Sequence, residues 1–227
     1  MRGFAVAIDG PVGVGKSTVA QEVAKNLGMT YIDTGAMYRA VALFKAKCGD
    51  KEATIESILE KIDIRLESKD GAQRIFLNGE DVSEQIRTQE ISEAASRMAV
   101  LEPIRKKLVS MQQDLAKTGR VVMDGRDIAS RVLPRAQVKI YLDASPEIRA
   151  ARRFEDLRAK GIKASLDEIL EQTIIRDERD MNRELSPLVQ TEDAVYICTD
   201  SMRQPDVVQA IIELVREKEG TTCSIVS

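Results

Sequence analysis

Two hydrophobic periods share this chain. Phe4 to Ile8 (FAVAI) is a short unbroken apolar run, the pattern of a strand buried on both faces. From Lys16 to Leu27 the apolar residues fall at 19, 20, 23, 24 and 27, a helical period closed by Gly28. MTYI (29–32) predicts a second strand, and Thr34 to Cys48 a helix that opens on a hydroxyl residue and ends before Gly49. The segments 62–68 (IDIRLES) and 73–79 (QRIFLNG) then alternate with period two around KDGA, which predicts a small antiparallel pair. A polar helix follows from Thr88 to about Val100, and another over 103–117 with Pro103 in its first turn. The strand–helix alternation resumes with strands at 120–125 and 137–143, helices from Pro146 to about Lys160 and from Leu166 to Glu184, a strand in DAVYICT (193–199) and a helix from Asp206 to Glu219.

This order predicts a three-layer α/β/α sandwich around a central parallel sheet. An antiparallel patch inside such an alternation reads as an insertion. The expected division is a core of residues 1–62 and 102–220, an insertion over 63–101 and a loose tail over 221–227.

Composition narrows the function more than the fold. The chain has 227 residues, 43% of them hydrophobic, and a net charge of −3, so it can bury a full core and lacks the basic balance of a general nucleic-acid binder. Aromatic residues make up 4%, too few for a base-stacking platform. There is no histidine, which rules out a Ser-His-Asp triad and leaves the three scattered cysteines without the partners of a zinc site. Reduced thiols and a cytoplasmic location are the expectation. MRGFAVAIDG does not read as a secretory signal, and no apolar run approaches the roughly 20 residues of a membrane helix. The absence of coiled-coil heptads makes a monomer the default.

The clearest chemical signal is Gly10-x-x-x-x-Gly15-Lys16-Ser17, placed between a predicted strand and a predicted helix. This is the Walker A pattern in the context its mechanism requires. Gly10, Pro11, Val12, Gly13, Val14 and Gly15 form the loop whose backbone N–H groups cradle phosphate oxygens, and the helix opened by Lys16, Ser17 and Thr18 adds favourable partial charge. Lys16 is expected on the β and γ phosphates and Ser17 on Mg²⁺. RVVMDG resembles a Walker B strand and would bring Asp124 to the same metal.

Arginines beside acids supply the second signal. DTGAMYR puts Thr34 at a helix start and Arg39 one turn inside it. MDGRD puts Arg126 and Asp127 past a strand's carboxyl end, where open α/β sheets bind ligands. RDERDMNR sets Arg176, Asp180 and Arg183 at i, i+4 and i+7 of one helix face. A charge run on one helix is ordinarily a solvated face. Three such segments together point to a second anionic substrate held by arginines.

IDGPVGVGKSTVA, YIDTGAMYR, IRTQEIS with AAS, MDGRD and RDERDMNR with SPL resemble, in order and over nearly the whole chain, the bacterial cytidylate kinase family of P-loop nucleoside monophosphate kinases. The resemblance implies transfer of the γ-phosphoryl group of ATP to CMP or dCMP, with Mg²⁺, on a P-loop kinase core. It makes 63–101 the monophosphate-binding region and about 150–165 a short lid. It implies that Ser96, Arg105 and Asp127 face the cytosine, that Thr34, Arg39, Arg126 and Arg183 hold the CMP phosphate, and that Arg176 and Asp180 hold the ribose. Lys16, Arg126, Arg176 and Arg183 become the groups that neutralise charge during transfer. The family pattern has serine where Thr34 stands, and the hydroxyl is kept. Arg152, Arg153 and Arg158 lie in the lid segment, and Arg153 is the residue assigned to ATP. Dephospho-coenzyme A kinase or a UMP-preferring enzyme is the neighbouring reading, and a non-catalytic nucleotide sensor is the reading from another class.

Overall fold

A computed structural model describes residues 3–48, 54–69, 72–117 and 119–223. Along the chain run β1 (Ala5–Asp9), α1 (Lys16–Leu27), β2 (Thr30–Asp33), α2 (Thr34–Lys47), α3 (Ile55–Glu60), β3 (Ile64–Lys69), β4 (Ala72–Leu77), β5 (Glu80–Asp81), α4 (Gln89–Met98) and α5 (Glu102–Ala116). They are followed by β6 (Val121–Gly125), β7 (Val138–Asp143), α6 (Pro146–Ala159), α7 (Leu166–Asn182), β8 (Val195–Cys198) and α8 (Gln204–Cys223).

The main sheet has five parallel strands in the order β2-β6-β1-β7-β8. Its two faces follow from strand alternation. Val6 and Ile8 of β1 pack with Val122, Ile140 and Leu142 against Val19, Val23, Val208 and Ile211 of α1 and α8. Ala7 and Met123 point the other way, into a cluster with Ile32, Ile128 and Val132. Ile8, Ile140 and Leu142 are fully buried, each contributing about 2 kcal/mol of transfer free energy. The strands end level: Asp9 pairs with Gly125, Asp33 with Asp124, and Asp143 with Cys198. Carboxylates therefore line the carboxyl edge of the sheet beside β1, where the strand order reverses and ligands of such sheets bind.

Helix starts follow local chemistry. Asp33, Thr54, Thr88 and Ser145 each accept a backbone N–H at the N-terminus of α2, α3, α4 and α6. Gly28, at φ 60°, closes α1.

The antiparallel pair β3–β4 forms as expected, with residues 70 and 71 of its turn outside the described residues. It gains a third strand, β5, through the turn at Asn78 (φ 51°) and Gly79 (φ 85°). Asn-Gly is the strongest short hairpin signal, and it marks a turn where the alternation alone predicts continuing strand. Ile64, Ile75 and Leu77 of this small sheet, with Val82 just after it, share one apolar cluster with Met37 and Val41 of α2, Ile91 of α4 and Ile104 and Leu108 of α5. Helix α3 and a π-helical turn at Ile128–Val132 were also not anticipated. The loose tail expected over 221–227 is corrected in its first part: α8 continues through Cys223, and residues 224–227 lie outside the described residues. No helix among the described residues is long and apolar enough to cross a membrane.

Candidate active site

The loop between β1 and α1 takes a glycine-only path. Gly10, Gly13 and Gly15 have φ of 150°, 76° and 94°. A Cβ on Gly10 would stand 2.0 Å from the Leu142 carbonyl oxygen, so the loop lies directly on β7. Gly15 has open space where its Cβ would be, so its backbone conformation and not crowding is what calls for glycine there. Two groups from distant helices hold the loop's outer turn. Arg149 of α6 donates from Nη1 to the Val12 carbonyl at 2.9 Å and from Nε to the Ala144 carbonyl at 2.8 Å. Asp177 of α7 pairs with Arg149 at 2.6 Å and accepts the Val12 N–H at 3.4 Å. Neither residue stands out in the sequence, because 137 positions separate Arg149 from Val12.

Lys16 is buried, with Nζ donating to the Pro11 carbonyl at 2.6 Å. Burial, with the Arg126 charge added, holds its ammonium well below the usual lysine range. Ser17 donates to Asp124 Oδ2 at 2.8 Å, and the Tyr31 hydroxyl donates to Asp124 Oδ1 at 2.9 Å. Hydroxyl and carboxylate oxygens side by side suit an Mg²⁺ ion that keeps several waters and takes phosphate oxygens. Among the described residues no group of three acidic, cysteine or histidine side chains could form an all-protein cage.

Burial, with like charge from Asp33, pushes Asp124 up to about 6. A carboxyl whose folded pKa lies above its unfolded value adds stability that is complete below pH 4 and is lost as pH rises through about 6. Asp124→Asn is therefore expected to flatten the fall in stability of the free protein between pH 4 and 6. Melting temperatures taken at each pH test this, and profiles parallel to wild type would contradict it. Asp9, also pushed up to about 6 by burial, acts equally in both proteins. Its carboxylate accepts the Ile128 and Ala129 N–H groups at 2.9 and 2.7 Å, which explains the π-helical turn and anchors the segment after Asp127 to the end of β1.

Beyond the loop lies a group of arginines. Arg126 donates from Nε to Asp180 Oδ2 at 2.8 Å. Arg105 pairs with Asp127 Oδ2, and Arg183 lies 3.7 Å from Asp127 Oδ1 and donates to the Ser186 carbonyl. Arg39 pairs with Asp33 at 2.7 Å. Arg179 lies 3.4 Å from the Ser96 hydroxyl. Thr34 is buried with its hydroxyl donating to the Asp124 carbonyl at 2.7 Å, so it joins β6 to α2. Arg176 feels Arg126, Arg39 and Arg179 as like charges, and burial with that repulsion brings it down to about 10. Three guanidinium nitrogens, Arg39 Nε, Arg176 Nε and Arg183 Nη2, are buried without a hydrogen bond among the described residues. Positive charge thus outweighs negative at one spot, and several donors have no acceptor.

Of the residues singled out in the sequence, Ser17 and Asp124 meet beside Lys16, the Arg126–Asp180 pair lies within electrostatic reach of the same ammonium, and Arg183 meets Asp127. The three arginines of the segment expected to form a lid make their contacts elsewhere. Arg152 donates to the Thr199 hydroxyl and carbonyl at 3.2 and 2.7 Å, Arg158 pairs with Glu155 on the surface, and Arg153 is exposed. Sequence reasoning passed over Arg149, Asp177, Tyr31 and Tyr38. The Tyr38 hydroxyl is buried without a hydrogen bond among the described residues, and its ring lies 5.8 Å from the Arg105 guanidinium.

The family model for cytidylate kinase matches residues 6–217. Cytidylate kinase from Carboxydothermus hydrogenoformans is 44% identical over 216 residues, covering 94% of this chain and 97% of its own. Cytidylate kinase from Lysinibacillus sphaericus is 46% identical over 217 residues, covering 94% and 96%. Among solved structures, a gluconokinase from Sinorhizobium meliloti has a TM-score of 0.50 at 13% identity, covering 97% of both chains. At that identity the likeness shows the fold alone.

Proposed function

The chain belongs to the cytidylate kinase family, and from that membership we propose that the cleft transfers the γ-phosphoryl group of ATP to CMP and dCMP, giving ADP with CDP or dCDP. The observation that carries this reading is the excess of guanidinium groups at Arg39, Arg126, Arg176 and Arg183, with buried donors left unpaired opposite the P-loop. A monophosphate dianion is the acceptor those donors lack.

The attacking group is a phosphate monoester oxygen, already ionised near neutral pH, so the reaction needs no general base and the lack of histidine is no obstacle. Catalysis then consists of bringing two anions into line and neutralising the charge between them. In this reading the P-loop amides and Lys16 hold the ATP phosphates. Ser17 and Asp124 hold Mg²⁺, which when bound offsets charge on the β and γ oxygens. Arg39, Arg126 and Arg183 hold the acceptor phosphate, with Arg176 and Asp180 beside the ribose. The tie between Arg149 of α6, Asp177 of α7 and the Val12 peptide couples the phosphate loop to helix positions on either side of the expected lid.

Cytosine offers an amino donor beside the N3 and O2 acceptors. Asp127 and Ser96 supply acceptors and Arg105 supplies donors. Uracil reverses two of these positions and would leave buried polar groups unpaired. An acceptor panel tests the function: with ATP and Mg²⁺, CMP and dCMP are expected to turn over fastest, well above UMP, AMP and dephospho-coenzyme A. A preference for any of the last three would overturn the proposal. In the same panel Asp127→Ala is expected to lower the CMP-to-UMP ratio of kcat/KM on the order of 10²-fold. An unchanged ratio would remove Asp127 from base recognition.

A further inference from the structure

We propose that Gln73 is a positioning residue that latches the small sheet onto the open edge of the main sheet, and so sets the acceptor side of the cleft against the donor side. The inference rests on the reading of the cleft given above and adds a residue to it.

Strand β2 is an edge strand, paired on one side with β6. On its other side the Tyr31 carbonyl and the Asp33 N–H would lack sheet partners. Gln73 of β4 takes both: Oε1 accepts the Asp33 N–H at 2.9 Å and Nε2 donates to the Tyr31 carbonyl at 2.9 Å. A residue of a neighbouring parallel strand makes this same pair of bonds, to the C=O of one residue and the N–H two residues on. The side-chain amide of Gln73 therefore stands in for a sixth strand and closes an edge otherwise open to pairing. The chemistry demands a primary amide, since glutamate lacks the donor and asparagine is one methylene shorter. Because N–H faces carbonyl and carbonyl faces N–H, only one orientation of the amide fits.

The two residues it grips reach into both halves of the cleft. Tyr31 donates to Asp124, which stands with Ser17 at the metal end. Asp33 caps α2 through the Ala36 N–H at 2.8 Å and holds Arg39 at 2.7 Å. Beside the latch lies a cavity of about 150 Å³ lined by Ser17, Thr18, Arg39, Gln73, Ser83 and Arg87, with the P-loop helix on one wall and the small sheet on another. The apolar face of the small sheet is tied to α2, α4 and α5 through a cluster that does not depend on the Gln73 bonds and reaches the cavity only at Ala36, Ile75 and Ile86. Losing the latch should then loosen the sheet at the cleft and leave the core folded.

Gln73→Leu removes both bonds and keeps the volume. In the substrate-free protein it is expected to speed hydrogen exchange of the Asp33 amide about 10-fold. It is expected to raise KM for CMP about 10-fold while KM for ATP stays within about twofold, because the acceptor side alone loses its register. Unchanged exchange at Asp33, or KM values that do not split between the two substrates, would overturn the proposal. Should Gln73→Leu melt below the assay temperature, Gln73→Glu keeps the acceptor, loses the donor and is judged by the same two readouts. A wild-type protein inert toward CMP would fail the catalytic reading, and the exchange arm would still decide the latch.

Discussion

Replacing Lys16 with methionine is expected to lower kcat on the order of 10³-fold or more while the protein stays folded. The expectation follows from where the ammonium sits. It is 6% exposed, within reach of the loop's own Pro11 carbonyl, and surrounded by Arg126, Asp124, Asp9 and Asp180. Burial depresses its charged form, so in the free protein the group stabilises little. A triphosphate on the loop would supply the counter-charge that the site lacks, and charge moving onto the transferring group's oxygens strengthens that contact in the transition state. Methionine keeps the aliphatic stem packed and removes the buried charge together with its bond to the Pro11 carbonyl; relief of the buried charge offsets the lost bond, so melting temperature should hold or rise. Steady-state kinetics with CMP and a thermal melt decide the point together. Turnover equal to wild type would separate Lys16 from the chemistry, and a collapsed melt would make its role structural.

Arg176→Met should have nearly as large an effect, with the same sign on stability. The guanidinium of Arg176 is largely desolvated, one nitrogen has no acceptor, and neighbouring arginines repel it. Unpaired buried charge destabilises the free protein by several times the worth of an ordinary surface ion pair. Relief of that strain should leave the melting temperature unchanged or higher by a few degrees, where about 1 kcal/mol corresponds to 2–4 °C for a chain of this size. Activity should fall on the order of 10²-fold, since the donor that waits for substrate oxygens is gone. Such a trade of activity for stability is the mark of a group kept for function. Lower stability with intact turnover would make Arg176 a structural residue.

Arg126 differs from Arg176 in the same cluster. Asp180 pairs with it and raises its pKa, so part of its charge is spent within the protein. Substrate must compete with Asp180 for Arg126 and with Asp33 for Arg39 Nη2, whereas Arg176 Nε and Arg39 Nε have no hydrogen-bond acceptor among the described residues. The two carboxylates at Asp127 and Asp180 keep the guanidiniums apart and oriented in the absence of an anion.

Much of this was legible in residues close along the chain. The apolar run ending at Asp9, the glycines at 10 and 15, and Lys16 with Ser17 specify a phosphate loop, because strand, turn and helix N-terminus are all local. Arg176 and Asp180 could be set on one face from the helical period, but the same period wrongly carried the helix on to Arg183, which follows the end of α7 in extended backbone and reaches Asp127 from there. Asn78-Gly79 carried a readable hairpin signal that the period-two alternation masked. Ile55–Glu60 gave no comparable signal: six residues are too few to establish a period, and the helix is held by its Thr54 cap and by packing of Ile58 into a distant cluster.

What the amino-acid order determined, then, is the set of elements and the identity of the charged groups, since both depend on spacing of a few residues. Only the tertiary structure decided which charges meet. It put Arg149 and Asp177 on the Val12 peptide, Tyr31 and Ser17 on one carboxylate, and Gln73 on the edge of β2. It also decided which guanidiniums are already satisfied and which still wait. Those pairings join residues dozens of positions apart, and their strength depends on burial, which no local window contains.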